Sequence, residues 1–184
     1  MQTISEDIIL THEVSQFYFR EARLLDERNY AQWLGVLDPA IVYHMPSRHV
    51  AQPDPALKGT EDFLSLRHEV GGADARSSPL RLDTFRQLAA RAMRPFKVNA
   101  WAESPPPRTR RLISNIEILD QDDATVTTTS NFHLFYSHLG ASNHSYVGCR
   151  RDKLRKEEAG FKLLQRQVII DWDVVTGPTL ALIF

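Results

Sequence analysis

The stretch "DPAIVYHMPSRH", Asp38 to His49, sets one carboxylate and two imidazoles close together in the chain. That is the ligand inventory of a mononuclear iron site, two His and one carboxylate on one face. The spacing works against it. On an extended segment His44 and His49 differ by an odd number of residues and point to opposite faces. Pro46 blocks the helix that would bring them together. The remaining histidines, His12, His68, His133, His138 and His144, show no ligand spacing, and His133 falls on the polar face of its strand, an expected surface or interface position. The single cysteine, Cys149, excludes an internal disulfide. It also excludes every metal site that needs two thiolates from this chain, including four-cysteine zinc and a Rieske centre. No metal site is expected.

The second chemically loaded stretch is "VGCRRDKLRKEEAGFKLLQRQVIIDWD", in which seven Lys or Arg stand against three acids between Arg150 and Arg166. In a strand, Tyr146, Arg150, Asp152 and Leu154 share one face while Val147, Cys149, Arg151 and Lys153 share the other. The positive charge is therefore divided and interleaved with Asp152, Glu157 and Glu158. A phosphate-gripping surface collects it on one side with stacking aromatics. Two readings remain open: cross-strand ion pairing on a half-exposed sheet, and a subunit contact made by bidentate arginines. A third cluster, "WAESPPPRTRR", joins three consecutive prolines to Arg108, Arg110 and Arg111. The prolines favour a stiff extended segment with little entropy to lose on docking. This block is either a rigid interface element or an internal loop with exposed arginines.

These side chains must be positioned by elements that the patterning predicts. The N-terminal quarter reads as helix, with Leu10, Val14, Phe17, Leu24 and Leu25 near a 3.6-residue period. Glu21 and Asp26 are expected to cap it or pair along it with Arg20, Arg23 and Arg28. "YAQWLGVL" reads as a short second helix and "AIVYHMPSR" as a strand. "TEDFLSLRHEV" suggests a short helix capped by Thr60, and "SPLRLDTFRQLAARAM" a longer one with Ser78 as N-cap and Pro79 at N1. "FKVNAW", "RTRRLISNIEIL", "ATVTTTSNFHLFYSH" and a hairpin turning at Glu158-Ala159-Gly160 read as strands, and "TLALIF" as a short last one. Leu112, Ile116 and Ile118 are assigned to one face of their strand and Arg111, Asn115 and Glu117 to the other. Strands this long must bend, and Gly148 is the candidate site. Helices first and a long curved antiparallel sheet afterwards give an α+β fold with helices on the concave face.

The chain has 184 residues, enough for one domain with its own core. Lys and Arg number 22 against 23 Asp and Glu, for a net charge of -1, which argues against nucleic acid or an anionic membrane as partner. No run of about 18 apolar residues exists to span a bilayer. The acidic start "MQTISEDIILTHE" does not read as a secretory signal, so a soluble cytoplasmic protein is expected.

Three stretches, "FREARLLDERNYAQWLGVLDPAIVYHMP", "WAESPPPRTRRLISNIEI" and "GCRRDKLRKEEAGFKLLQRQVIID", resemble in order and spacing the small (beta) subunit of aromatic-ring-hydroxylating dioxygenases, the biphenyl, toluene and naphthalene dioxygenase group. Pro107 stands where Ser is more usual in that pattern, and Cys149 is also a departure. The resemblance implies the cone of nuclear-transport-factor-2-like (NTF2-like) proteins over residues 1–184. It implies a homotrimer of small subunits within an assembly of three large and three small subunits. The large (alpha) subunit is implied to carry the Rieske 2Fe-2S cluster and the mononuclear iron, and a reductase, often with a ferredoxin, to deliver electrons from NADH. The implied reaction adds both atoms of dioxygen to an arene, giving a cis-dihydrodiol, with no catalytic residue on this chain. Trp101, Glu103, Arg108, Arg110, Arg111, Arg150 and Arg151 are then the expected interface residues. The rival within the same fold is a stand-alone isomerase or dehydratase, resembling ketosteroid isomerase or scytalone dehydratase. It would draw its base and donor from Asp26, Tyr30, Tyr43 and His133, which would have to converge on one pocket.

Overall fold

Helix α1, Gln2–Asp26, buries Val14, Tyr18, Glu21, Ala22, Leu24 and Leu25 along one stripe. Its end is set by geometry rather than by glycine. Arg28 takes a positive φ of 62°, and the Asn29 and Arg28 amides donate back to the Leu24 and Leu25 carbonyls at 2.8 and 3.2 Å, a Schellman closure. The short helix α2, Tyr30–Leu34, then drops Trp33 into the core. In the computed structural model the described residues are 2–48, 52, 54–65, 69–70, 78–97, 104–140, 142–172 and 174–184.

The remaining elements are β1 (Leu37–Met45), β2 (Arg81–Thr84), α3 (Phe85–Ala92), β3 (Arg108–Gln121), β4 (Thr125–Ser137), β5 (His144–Glu157) and β6 (Gly160–Ile170). They form one six-stranded sheet in the order β2-β1-β6-β5-β4-β3. Every pairing is antiparallel except β1 with β6, which runs parallel. The sheet curves around α1, which lies against β3 and β6. The α+β fold expected from the patterning, and the cone that the resemblance implies, are therefore present.

Several local expectations need correction. Residues 78–93 are not one helix. Arg81 and Asp83 face inward from β2, and α3 begins only at Phe85, where Thr84 and Gln87 make a reciprocal capping box. Thr60 precedes a single 3-10 turn, Glu61–Leu64, without a side-chain cap bond. "TLALIF" is not a strand: it runs into the cone and buries Ile183 and Phe184. Phe96 belongs to a 3-10 turn, and the rest of the expected "FKVNAW" strand, apart from Lys97, lies outside the described residues.

The face assignment on β3 fails for a specific reason. Asn115 adopts φ 50°, and one extra residue is inserted between Ser114 and Glu117 relative to Asn131 and Thr129. Such a bulge inverts the alternation on one side of it. Ile116 and Ile118 therefore pack inward together with Ile113 and Arg111, while Leu112 is 60% exposed. Further register shifts fall at Leu37/Val42, Ile118/Asp120 and Lys153/Leu154, whereas pairing runs in register through Gly148 on both sides. Gly148 answers to close approach instead: a Cβ there would stand 2.1 Å from the Ile169 carbonyl oxygen.

Candidate functional site

Two places can carry function: the interior of the cone and the outer face of the sheet. Four of the buried charges form one network in the interior. Glu21 lies on α1 in phase with Val14, Tyr18 and Leu25. Arg150 and Asp152 alternate inward on β5 with Tyr146 and Leu154, and Arg166 shares the inner face of β6 with Val168 and Ile170. The expected half-exposed ion pairing is thus a fully enclosed network. Arg166 donates from Nη1 and Nη2 to both Glu21 oxygens, at 2.8 Å each. From Nε and Nη2 it also grips the Asp152 carboxylate, at 3.0, 3.2 and 2.7 Å. Trp33 Nε1 donates to Glu21 at 3.3 Å. Arg150 stands 3.5 Å from Glu21, reaches Ser130 Oγ, and lies over the Tyr18 ring at 4.9 Å.

Two cations face two anions, so the cluster is neutral, and its titration behaviour follows. Burial pushes the Glu21 carboxyl up, but the Arg166 and Arg150 guanidiniums and the hydrogen bonds from Arg166 and Trp33 outweigh it and hold the group below its ordinary value. Burial, with the Asp152 charge, drives the Tyr18 phenol well above its usual range, so it stays a neutral hydroxyl bonded to Thr128. A general base needs a poised pKa and a free lone pair near substrate. Glu21 and Asp152 instead have their oxygens committed to arginine.

The four residues of the rival reading do not converge. Asp26 accepts from Thr109 Oγ at 3.1 Å and from the Arg111 amide at 2.8 Å, and it pairs with the Arg111 guanidinium. Tyr30 packs edge-on against Phe96 at 6.1 Å. Tyr43 is buried, and its hydroxyl accepts the Phe184 amide at 3.0 Å. His133 is exposed on the outer face, 2.9 Å from Ser145. Tyr43 and His133 therefore lie on opposite sides of the sheet.

The expected interface residues also divide. Arg150 is 1% exposed within the single chain, so it belongs to the interior network and not to a subunit contact. The side chain of Arg111 is likewise enclosed: besides Asp26 it grips the Ile183 carbonyl oxygen at 3.1 and 2.7 Å. The bulge at Asn115 turned it inward. Arg108, Arg110 and Arg151 are exposed. Trp101 and Glu103 lie outside the described residues. The proline block is docked on its own chain, because Arg28 donates to the Pro106 and Pro107 carbonyls at 3.3 and 2.9 Å. Glu21 and Asp26 do not pair along α1 with Arg20, Arg23 or Arg28; Arg23 in its last turn pairs instead with Glu27 just past its end, at 3.9 Å.

Sequence reading missed the roles of Glu21, Asp152, Arg166, Arg81 and the 179–184 segment. For Glu21, Asp152 and Arg166 the available signal was phase, since each recurs in step with buried apolar residues; Arg81 alternates only with Asp83 and gave no such signal. Beside the 179–184 segment lies a cavity of about 410 Å³, lined in part by Arg28, Tyr30, Arg91, Tyr136, His138 and Leu182. On the outer face, Leu112, His133 and Val147 sit directly opposite one another across β3, β4 and β5, with Phe135 one step along. Leu112, Phe135 and Val147 are 60, 40 and 42% exposed. Among the described residues no group of three or more His, Cys, Asp or Glu could hold a metal ion. His49 and His68 fall outside those residues. No described helix is long and apolar enough to cross a membrane.

A family model described as the ring hydroxylating beta subunit matches residues 20–177. Among solved structures, a chain of naphthalene 1,2-dioxygenase, determined with indole bound in the active site, is 23% identical over 95% of this chain and 86% of that one, with a TM-score of 0.77. The beta subunit of benzoate 1,2-dioxygenase from Burkholderia mallei is 23% identical over 86% of this chain and 88% of its own, with a TM-score of 0.64. A Novosphingobium aromaticivorans protein assigned as a scytalone dehydratase shares the fold at 8% identity, over 92 and 89% of the two chains, with a TM-score of 0.62. At these identities the structural likenesses speak for the fold.

Proposed function

The chain belongs to the beta subunits of ring-hydroxylating dioxygenases, and from that membership we propose that it is a scaffold subunit which shapes the oxygenase without supplying chemistry. The observation that carries this reading is that the buried carboxylates Glu21 and Asp152 are tied to arginine. Where a catalytic member of the fold needs a tuned base beside open space, this chain has a neutral ion network whose two carboxylates are both held by arginine and which is capped by its own 179–184 segment.

The cofactors of the reaction belong elsewhere. A Rieske centre needs two thiolates and two imidazoles, and one cysteine cannot supply them. On this reading, as membership of the family implies, the large subunit carries the cluster and the mononuclear iron, and electrons from NADH reach them through a reductase or ferredoxin. Dioxygen addition to the arene, giving a cis-dihydrodiol, takes place there. This chain contributes surfaces. Its outer face exposes Leu112, Phe135 and Val147 on three adjacent strands, an apolar patch of the kind that subunit contacts cover. Arg108, Arg110 and Arg151 provide exposed cations for pairs with a neighbour. The assembly has three small subunits joined through this face and three large ones.

The test is co-expression with a large subunit, with native mass spectrometry as readout. Val147→Asp and Leu112→Asp should leave the fold intact and lower the hexamer fraction at least about tenfold, since a buried unpaired carboxylate costs more than 1.4 kcal/mol. Hexamers undiminished by both substitutions would refute the assigned face.

A further inference from the structure

The residues that enclose the 179–184 segment form a built binding site, and every strand contributes to it. From β1, the Tyr43 hydroxyl accepts the Phe184 amide at 3.0 Å. From β2, Arg81 donates to the Leu180 carbonyl at 3.1 Å and also to that of Leu182. From β3, Arg111 holds the Ile183 carbonyl, and from β6, Arg166 holds that of Phe184 at 3.0 Å. From β5, the Tyr146 hydroxyl donates to the Thr179 carbonyl at 2.8 Å. β4 supplies Phe132, whose ring centroid lies 5.6 Å from that of Phe184, and Tyr146 adds a second ring at 5.4 Å.

Among the described residues, the hydrogen bonds that hold the segment's main chain come from side chains and not from a neighbouring strand. That is how a protein holds a peptide ligand: polar side chains read the backbone while a pocket takes the anchor ring. Here the anchor is Phe184, 1% exposed. The rest of the segment is less enclosed, because Thr179, Ala181, Leu182 and Ile183 border the 410 Å³ cavity. The chain passes into the site at Gly177, where a Cβ would stand 2.5 Å from the Tyr146 hydroxyl and 2.8 Å from the Trp172 ring. Just before it, Val174, Val175 and Thr176 are exposed.

We propose that the interior of the cone is a peptide receptor whose resident ligand is this chain's own 179–184 segment. Its ligand class is an extended apolar peptide carrying a bulky aromatic anchor. The inference goes beyond the scaffold reading and does not rest on it, since it concerns the chain alone and needs no large subunit.

The experiment keeps folding and release apart. A protease site is placed within residues 174–176 of the full chain, which is folded first and cut afterwards. The cut segment should stay with the cone through gel filtration at micromolar concentration. It should then exchange with a fluorescein-labelled peptide of residues 177–184, saturating at one per cone. The same peptide with Phe184→Ala should bind at least about tenfold more weakly, as removal of a buried aromatic anchor requires. In the uncut chain, the Ala181 and Phe184 amides should exchange with deuterium roughly 100-fold faster than those of β4 and β5, because release needs only local opening. A folded cone that loses the cut segment outright overturns the proposal. So does a retained segment that labelled peptide never replaces, or tail amides that exchange only with the sheet.

Discussion

Replacing Arg166 by methionine tests the interior network most sharply. The side chain is fully enclosed and makes six hydrogen bonds, three to Asp152, two to Glu21 and one to the Phe184 carbonyl. Methionine fills much of the volume, so the loss is chiefly electrostatic. Two carboxylates are left facing the single guanidinium of Arg150, which already finds no partner for its Nη2. Breaking a buried ion pair by removing one member costs about 3–5 kcal/mol, against a total stability of about 5–15 kcal/mol for a domain. In a chain of this size that lowers Tm by roughly 6–20 °C. The pH dependence has a definite sign. In the parent chain the Glu21 pKa is depressed below its ordinary 4.5, so its contribution is present above the unfolded pKa and is lost as pH falls through the folded one. In the variant, burial is no longer outweighed and the folded pKa rises. Protonation then favours the folded state, and the deficit should narrow between pH 7 and pH 5. Adding Glu21→Gln to Arg166→Met restores neutrality, one cation facing one anion, and should cost at least about 1 kcal/mol less than the sum of the single changes. Urea unfolding at both pH values measures all of this. A deficit under about 1 kcal/mol, or one that does not change with pH, would refute the reasoning.

Other outcomes follow from single residues. Arg111→Ala strands the buried Asp26 carboxylate and should cost about 3 kcal/mol or more in urea unfolding, whereas the exposed pair Arg108→Ala and Arg110→Ala should leave stability within about 0.5 kcal/mol while weakening co-purification with the large subunit. Equal costs for the two changes would contradict the division made on β3. Gly148→Ala forces a methyl group against the Ile169 carbonyl and should destabilise by roughly 1–3 kcal/mol; an unchanged melt would remove the close-approach argument.

The architecture was legible because its signals are periodic. Val126, Phe132, Leu134 and Tyr136 alternate cleanly and do share the inner face, and the turn at Glu158-Ala159 before Gly160, with φ 117°, closes the hairpin as expected. The misses have physical causes. One bulge at Asn115 reversed the reading of Leu112 and Arg111, and its mark is weak: Asn tolerates a positive φ, but in an alternating strand pattern it reads first as an ordinary polar-face residue. Arg81 and Asp83 hid β2, because charges at alternate positions read as a polar helix face until their partners are known. Arg150 and Arg166 were visible as charge, but their burial depends on Glu21, more than a hundred residues away, and no local window contains that partner. "TLALIF" has strand-like residues, yet its hydrogen bonds go to side chains from the strands around it.

The central claim, that this chain lends shape and not chemistry, is tested most directly by resolving the co-expressed oxygenase into its subunits and assaying each for iron and acid-labile sulfide. All of both should travel with the large subunit, leaving this chain with far less than one iron per molecule. Stoichiometric iron or sulfide on this chain would contradict the account.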